Sequence, residues 1–159
     1  EKVRAYLEPY GVADRIREFD VSSATVELAA LAVGVEGARI AKTLSFKIGE
    51  EPILVVAAGD AKVDNSKYKH FFGVKAKMLT ADEAVARIGH AVGGVCPFAL
   101  PEDVKTYLDV SLKRFDTVFP AVGSAASAIE LNCDELERCC GKNFTQWVDV
   151  CKGWQPEEA

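Results

Sequence analysis

Ile40-Ala41-Lys42-Thr43-Leu44-Ser45-Phe46-Lys47, then Gly49-Glu50, then Ile53-Leu54-Val55-Val56-Ala57-Ala58 is the passage on which the fold turns. Side chains alternate along a strand, so Ile40, Lys42, Leu44 and Phe46 share one face and Ala41, Thr43, Ser45 and Lys47 the other. The second run is apolar without interruption, as a central strand covered on both faces is. The turn residues between the runs predict a hairpin. Lys42 is the odd member, a cation on the face of three large apolar residues. Burying an unpaired ammonium costs on the order of several kcal/mol, so this group must be paired, turned outward or used. Lys42 is the best site candidate that the pattern yields.

Upstream, Val3, Tyr6, Leu7 and Tyr10 fall at helical spacing, and Pro9 with Gly11 ends that helix. Residues 15–21 alternate weakly and predict a strand, after which Ser22 and Ser23 offer caps for an Ala/Leu-rich helix running to about Gly34. Downstream, Gly59 and Asp60 end the central strand. Residues 65–72 predict a basic helix, 76–79 a short strand, and Thr80 to Glu83 a capping box that opens a helix to about Gly89. Strands are predicted over 106–111 and 117–122, and residues 127–131 alternate. Asn132 to Glu135 is a second capping box, for a helix ending near Gly141, and 147–150 predict a closing strand. The sum is an α/β or α+β arrangement, a mixed and strongly curved sheet flanked by helices. One domain over 1–159 is expected, with 155–159 as a frayed tail.

The chain of 159 residues is 49% hydrophobic and 27% charged, which excludes disorder and predicts a sizeable core. No apolar run approaches the roughly 20 residues of a membrane span, and the start lacks a signal peptide's continuous apolar segment. A cytoplasmic location with no membrane partner is therefore the expectation. Cys96, Cys133, Cys139, Cys140 and Cys151 form an odd set without a CxxC, and His70 and His90 are far apart in sequence, so neither metal nor cofactor is expected. The thiols read as reduced and packed like small hydrophobes. The net charge of −5 is unevenly spread: residues 61–79 carry Lys62, Lys67, Lys69, Lys75 and Lys77 against Asp64 alone. Such a segment attracts phosphates, although a solvated lysine-rich helix face would look the same.

GxSxG, HExxH and Walker motifs are absent. His90 follows Gly89 at a predicted helix end, where a protonated imidazole caps carbonyls, yet it also lies near Gly93-Gly94-Val95-Cys96-Pro97-Phe98. In that loop two adjacent glycines let backbone approach a ligand, and Pro97 stiffens the exit. Its N–H groups could face a carbonyl or phosphate, or it could be an ordinary tight turn.

Four elements in order carry a resemblance: Ala41-Lys42-Thr43-Leu44, Gly59-Asp60-Ala61-Lys62-Val63-Asp64, the Gly93 to Phe98 loop, and Tyr107-Leu108-Asp109-Val110-Ser111-Leu112. From about residue 22 to 136 the chain resembles the YbaK/prolyl-tRNA synthetase editing-domain family, which includes stand-alone deacylases. The resemblance implies a curved mixed sheet with an aminoacyl group held between the lysine strand and the GxxxP loop. Lys42 matches the family's essential lysine, Gly93 and Pro97 the ends of GxxxP, and Asp109 with Ser111 the polar element of the following strand. Cys96 stands where serine commonly precedes the proline, and Ala99 where glycine is frequent, departures that bear on substrate choice.

The implied activity is hydrolysis of the ester in mischarged tRNA carrying a small amino acid. The implied partners are the acceptor end of that tRNA and an aminoacyl-tRNA synthetase. Lys42 would supply positive charge, and N–H groups of Gly93, Gly94, Val95 and Cys96 would stabilise the oxyanion. Water would be the nucleophile, helped by a hydroxyl of the terminal ribose, because no side chain in these motifs is an obvious base. Thr43, Leu44, His90, Pro97, Phe98, Asp109 and Ser111 are the expected substrate contacts, and Lys62, Lys67, Lys69, Lys75 and Lys77 the tRNA contacts. Cys96 reads as a pocket wall rather than a nucleophile, lacking a sequence-evident histidine. Two competing readings are a catalytically silent module binding tRNA ends or aminoacyl groups, and a hydrolase of another small aminoacyl ester or amide. Salt dependence would separate tRNA recognition from small-ester hydrolysis.

Overall fold

The central apolar run lies at the middle of a five-stranded mixed sheet in the computed structural model, which describes residues 2–18, 34, 37–90, 95–123 and 127–153. Helix α1 (Lys2–Leu7) buries Val3 and Leu7, runs into a 3-10 turn (Glu8–Tyr10), and stops at Gly11, whose φ of 78° suits glycine. Strand β1 is only Arg17–Glu18. The strand expected over 15–21 starts later than read, because Arg15 closes a 3-10 turn (Ala13–Arg15); residues 19–21 and the body of the Ser-capped helix expected after them lie outside the described residues.

The hairpin forms as read: β2 (Ile40–Ile48) pairs antiparallel with β3 (Glu51–Ala58), placing Lys42 opposite Ala57. Strand β3 is buried from Pro52 to Ala58, as its unbroken apolar sequence requires. After β4 (Lys62–Val63) comes α2 (Asn65–Phe72), capped by the Asp64 carboxylate, which accepts the Ser66 and Lys67 N–H groups. Its buried Tyr68 stacks at 5.1 Å on Phe46, and Phe72 meets Tyr107 edge-on at 5.0 Å. The lysine-bearing helix therefore covers the sheet face that carries Phe46 and, by alternation, Lys42.

The strand expected over 76–79 shrinks to one bridge, Phe46 to Met78. Lys47 N–H donates to the Lys77 carbonyl and Leu79 N–H to the Ser45 carbonyl, and Thr80 then caps the next helix. That capping box is present and opens α3 (Ala81–Glu83), but the following turn, Ala84–Ile88, widens to π before Gly89 closes it.

Strand β5 (Lys105–Asp109) lies parallel to β3, and β8 (Phe144–Val148) parallel to β5. The strand expected to reach residue 111 ends at Asp109, whose carboxylate takes the Ser111 N–H and starts a 3-10 turn, Val110–Arg114. Strand β6 (Phe119–Pro120) completes the order β6-β2-β3-β5-β8. The strands expected over 117–122 and 127–131 shorten to β6 and β7 (Ser127–Ala128), with one further bridge joining Val118 to Leu131. Helix α4 (Cys133–Cys140) starts from the second capping box, on Asn132 and Glu135. The closing strand begins earlier than expected and breaks at Asp149 and Val150 before β9 (Cys151–Lys152), which pairs with β4. Among the described residues no helix is long and apolar enough to cross a membrane.

Candidate functional site

Lys42 sits near the start of β2, beside the carboxyl end of β3, because the hairpin register sets it against Ala57. Its side chain is half-buried, with Nζ 3.5 Å from the Gly59 carbonyl, a long contact. The position is physically apt, since ligands of open α/β sheets gather beyond the carboxyl ends of strands. The row across the sheet continues from Ala57 to Asp109 by the β3–β5 register, in which Val56 faces Leu108.

Asp109 and Ser111 come to this corner, but beneath it rather than facing a substrate. Both are fully buried. The Asp109 carboxylate accepts the Ser111 N–H at 3.0 Å and the Val150 N–H at 2.9 Å, and the Ser111 hydroxyl accepts the Ala58 N–H at 3.1 Å. These two side chains, expected to touch substrate, bond backbone donors here and so fix where β3 and β5 end. Burial, followed by the charge and hydrogen bond of Asp109, pushes the nearby Cys151 thiol up to about 12, while Lys42 acts on it in the opposite sense.

Two residues that sequence reasoning did not single out complete the corner. Arg114 grips Asp60 through both guanidinium nitrogens, Nη1 donating to Oδ2 at 2.9 Å and Nη2 to Oδ1, and its Nε donates to the Ser111 carbonyl at 2.9 Å. Asp60 directly follows Gly59, the residue whose carbonyl meets Lys42. The only local signal was the placing of Asp60 in the Gly59 to Asp64 motif.

Of the companions of Lys42, Leu44 shares its face and packs on the core, whereas Thr43 points to the other side. Thr43 Oγ1 is buried without a hydrogen-bond partner. Of the lysines, Lys62, Lys69, Lys75 and Lys77 are exposed. Lys67 is exposed too and also serves as a brace: Nζ lies 3.1 Å from Asp149 Oδ1 and 3.0 Å from the Cys151 carbonyl, tying α2 to the β8–β9 segment.

The loop forms a second, apolar centre. Gly93 and Gly94 lie outside the described residues, so the expected oxyanion donors there do too; Val95 is half-buried, and Cys96, Pro97 and Phe98 are buried. His90 Nε2 is 2.8 Å from the Phe98 carbonyl and 3.7 Å from Cys96 Sγ. A carbonyl accepts only, so Nε2 carries the hydrogen and donates. Burial holds His90 below the ordinary histidine value, favouring the neutral ring. His90 is thus a neutral tie between the end of the α3 segment and the loop, which replaces the protonated helix cap among its expected roles.

Cys96 does have a histidine close by, contrary to the sequence reading, but that nitrogen cannot take its proton. Burial pushes the Cys96 thiol up to about 12. A buried thiol held in its protonated form is a poor nucleophile. Ala99 adopts φ of 56°, the left-handed region, which gives a physical reason for glycine at that place.

A family model described as an aminoacyl-tRNA editing domain matches residues 21–139. The chain is 52% identical over 157 residues to the uncharacterised protein YwhH of Bacillus subtilis (strain 168), covering 98% of each. It is 28% identical over 110 residues to EbsC of Enterococcus faecalis (strain ATCC 700802 / V583), named as a candidate Cys-tRNA(Pro)/Cys-tRNA(Cys) deacylase, covering 67% of this chain and 66% of that protein. A solved structure described as a candidate trans-editing enzyme for prolyl-tRNA synthetase superposes with a TM-score of 0.85 at 28% identity, over 96% of both chains.

Proposed function

The chain belongs to the aminoacyl-tRNA editing-domain family, and on that premise we propose that it is a trans-acting deacylase hydrolysing the ester of mischarged tRNA that carries a small amino acid. The observation that carries this reading is the Lys42 corner. A half-buried ammonium stands at the carboxyl end of β3, 3.5 Å from the Gly59 carbonyl, on a corner whose strand ends are fixed by Asp60, Asp109, Ser111 and Arg114. Positive charge kept in a partly desolvated place is what an ester gains from as its carbonyl oxygen turns anionic.

In this reading Lys42 meets the ester or the terminal adenosine, and N–H groups over 93–96 hold the oxyanion. Water attacks the ester carbon, a terminal ribose hydroxyl helps to move its proton, and the ribose oxygen leaves. Cys96, Pro97 and Phe98, packed and buried, set the shape that admits a small side chain; a hydrophobic pocket discriminates near-isosteres poorly, the physical reason for a separate editing step. Lys62, Lys69, Lys75 and Lys77 attract tRNA phosphates, a synthetase supplies the choice of tRNA, and the work is done in the cytoplasm where tRNA is charged. One domain, 1–159, suffices for the chemistry.

The test is deacylation of tRNAs charged with alanine, cysteine, serine, threonine or proline by the wild type and Lys42→Ala. We expect one ester to be cleaved, and Lys42→Ala, with unchanged circular dichroism, to lose roughly a hundredfold or more in rate. Cleavage of none above the spontaneous rate, or an equally active variant, would replace this reading with that of a silent binding module.

A further inference from the structure

We propose that helix α1 is a specificity-determining clasp on the substrate loop, with Val3 the positioning residue that fixes how large an acyl group the space beside Cys96 admits. This rests on the reading that the loop walls the acyl space.

Three segments meet at the loop and are tied to one another. His90 donates to the Phe98 carbonyl at 2.8 Å, and the Cys96 thiol is hydrogen-bonded to backbone of Phe98 and of Gly123. Helix α1 touches all three. Lys2 Nζ donates to the Gly89 carbonyl at 2.9 Å, next to His90. The Tyr6 ring lies 6.4 Å from that of Phe98, within the range of aromatic pairs. Val3, 2% exposed, presses on Gly123: a β-carbon there would fall 2.8 Å from Val3 Cγ2 and 4.0 Å from His90 Nδ1. Gly123 also holds φ of 95°, so glycine is required twice over at the point where the helix bears on the loop.

The clasp has a fixed base. Tyr6 donates its hydroxyl to the Cys139 carbonyl at 2.5 Å, and Arg138 Nη2 donates to the Tyr10 carbonyl at 3.3 Å, so α4 holds the helix from its other side. Leu7 is fully buried. A packed interior transmits a change of one methyl group, because neighbours relax only partly into the gap. Shortening Val3 therefore frees Gly123 and, through its bond to the thiol, Cys96. Helix α1 lies ahead of residues 21–139, so the clasp is no part of the motifs from which the site was read.

The experiment compares wild type, Val3→Ala and a control, Ile53→Val, which trims a buried side chain of β3 instead. Each is assayed for kcat/KM on the ester that the wild type prefers and on the larger esters of the panel. Val3→Ala should move the ratio toward the larger esters by roughly tenfold or more, the scale on which one methylene is discriminated, while Ile53→Val keeps the wild-type ratio. A second readout needs no activity: hydrogen exchange at the Cys96, Phe98 and Gly123 amides should be about tenfold faster in Val3→Ala than in Ile53→Val. Should Val3→Ala fail to fold, Lys2→Met at the exposed first turn removes the tie to Gly89 and should shift both readouts the same way, by about threefold. An unchanged ratio in a folded Val3→Ala, or exchange no faster than in the control, overturns the proposal. Faster exchange with no ester cleaved by any form, wild type included, leaves the clasp standing and overturns the function.

Discussion

The Lys42 corner and the Pro97 loop are held by opposite means. At the corner, Asp60, Asp109, Ser111 and Arg114 lock one another and the strand ends through hydrogen bonds. At the loop, Cys96, Pro97 and Phe98 are buried, and a neutral imidazole donates to the Phe98 carbonyl. The contrast teaches a division of labour: one region specifies where charge stands, the other specifies a shape. A hydrogen-bonded corner changes its chemistry when one partner changes, while a packed loop keeps its thiol inert however close a histidine lies.

The comparison breaks first, and with the largest effect, at Asp109. Asp109→Ala leaves the Ser111 and Val150 N–H groups buried without acceptors. Each such loss costs about 1–3 kcal/mol, so urea unfolding should show a loss of about 3 kcal/mol or more. A loss below about 1 kcal/mol would mean that the corner is organised by packing, as the loop is, and the contrast would fall.

A smaller effect should come from pH at the loop. His90 is held below the ordinary histidine value chiefly by burial, opposed by its bond to Phe98 and aided by the charge of Lys2. The unfolded chain then binds a proton that the folded chain resists. Stability from this source is present above the unfolded value near 6.5 and is lost as pH falls from there toward the folded value, by at most about 1.4 kcal/mol per pH unit. Glu83, held near 2 by Lys47 and by the Thr80 N–H, and Glu135, held low by Arg15, lose stability in the same direction but in a more acid window. Unfolding measured from pH 7.5 to 5.5 should show the decline in the wild type and a flatter profile in His90→Gln. Identical profiles would show that the imidazole protonates in place, and the loop would then hold a charge of its own.

How much of this was legible in the sequence follows from the range of each interaction. The hairpin, α2 and both capping boxes were readable because alternation, helical spacing and caps act over a few residues. The end of β5 was not, because Asp109 chooses between strand and turn by reaching Val150, 41 residues on. Arg114 was invisible for the same reason. Lys67 looked like every other lysine of its segment until the fold brought Asp149 beside it. Cys96 and His90 are six apart, yet their proximity depends on the loop folding back, and the direction of the histidine hydrogen depends on the Phe98 carbonyl. The resemblance placed Lys42 and the loop in one site. No periodicity could have distinguished Asp109 as scaffold from Asp109 as contact.

The smallest expected effect tests whether the loop's shape is strained. Ala99 holds φ of 56° one residue after Phe98, at a place where the resemblance leads one to expect glycine. A Cβ in the left-handed region costs roughly 1–2 kcal/mol, which glycine avoids. Glycine gives back about 0.4–1 kcal/mol by loosening the unfolded chain. Ala99→Gly should therefore stabilise the protein by about 0.5–1 kcal/mol, read as a small rise in the urea midpoint with an unchanged slope. If the loop only supplies shape, deacylation by this variant should keep its rate on the preferred ester, and any change should fall on discrimination between aminoacyl groups. A drop in stability would mean that the alanine methyl packs well enough to offset its backbone cost. The departure from glycine would then be a means of narrowing the space beside Phe98.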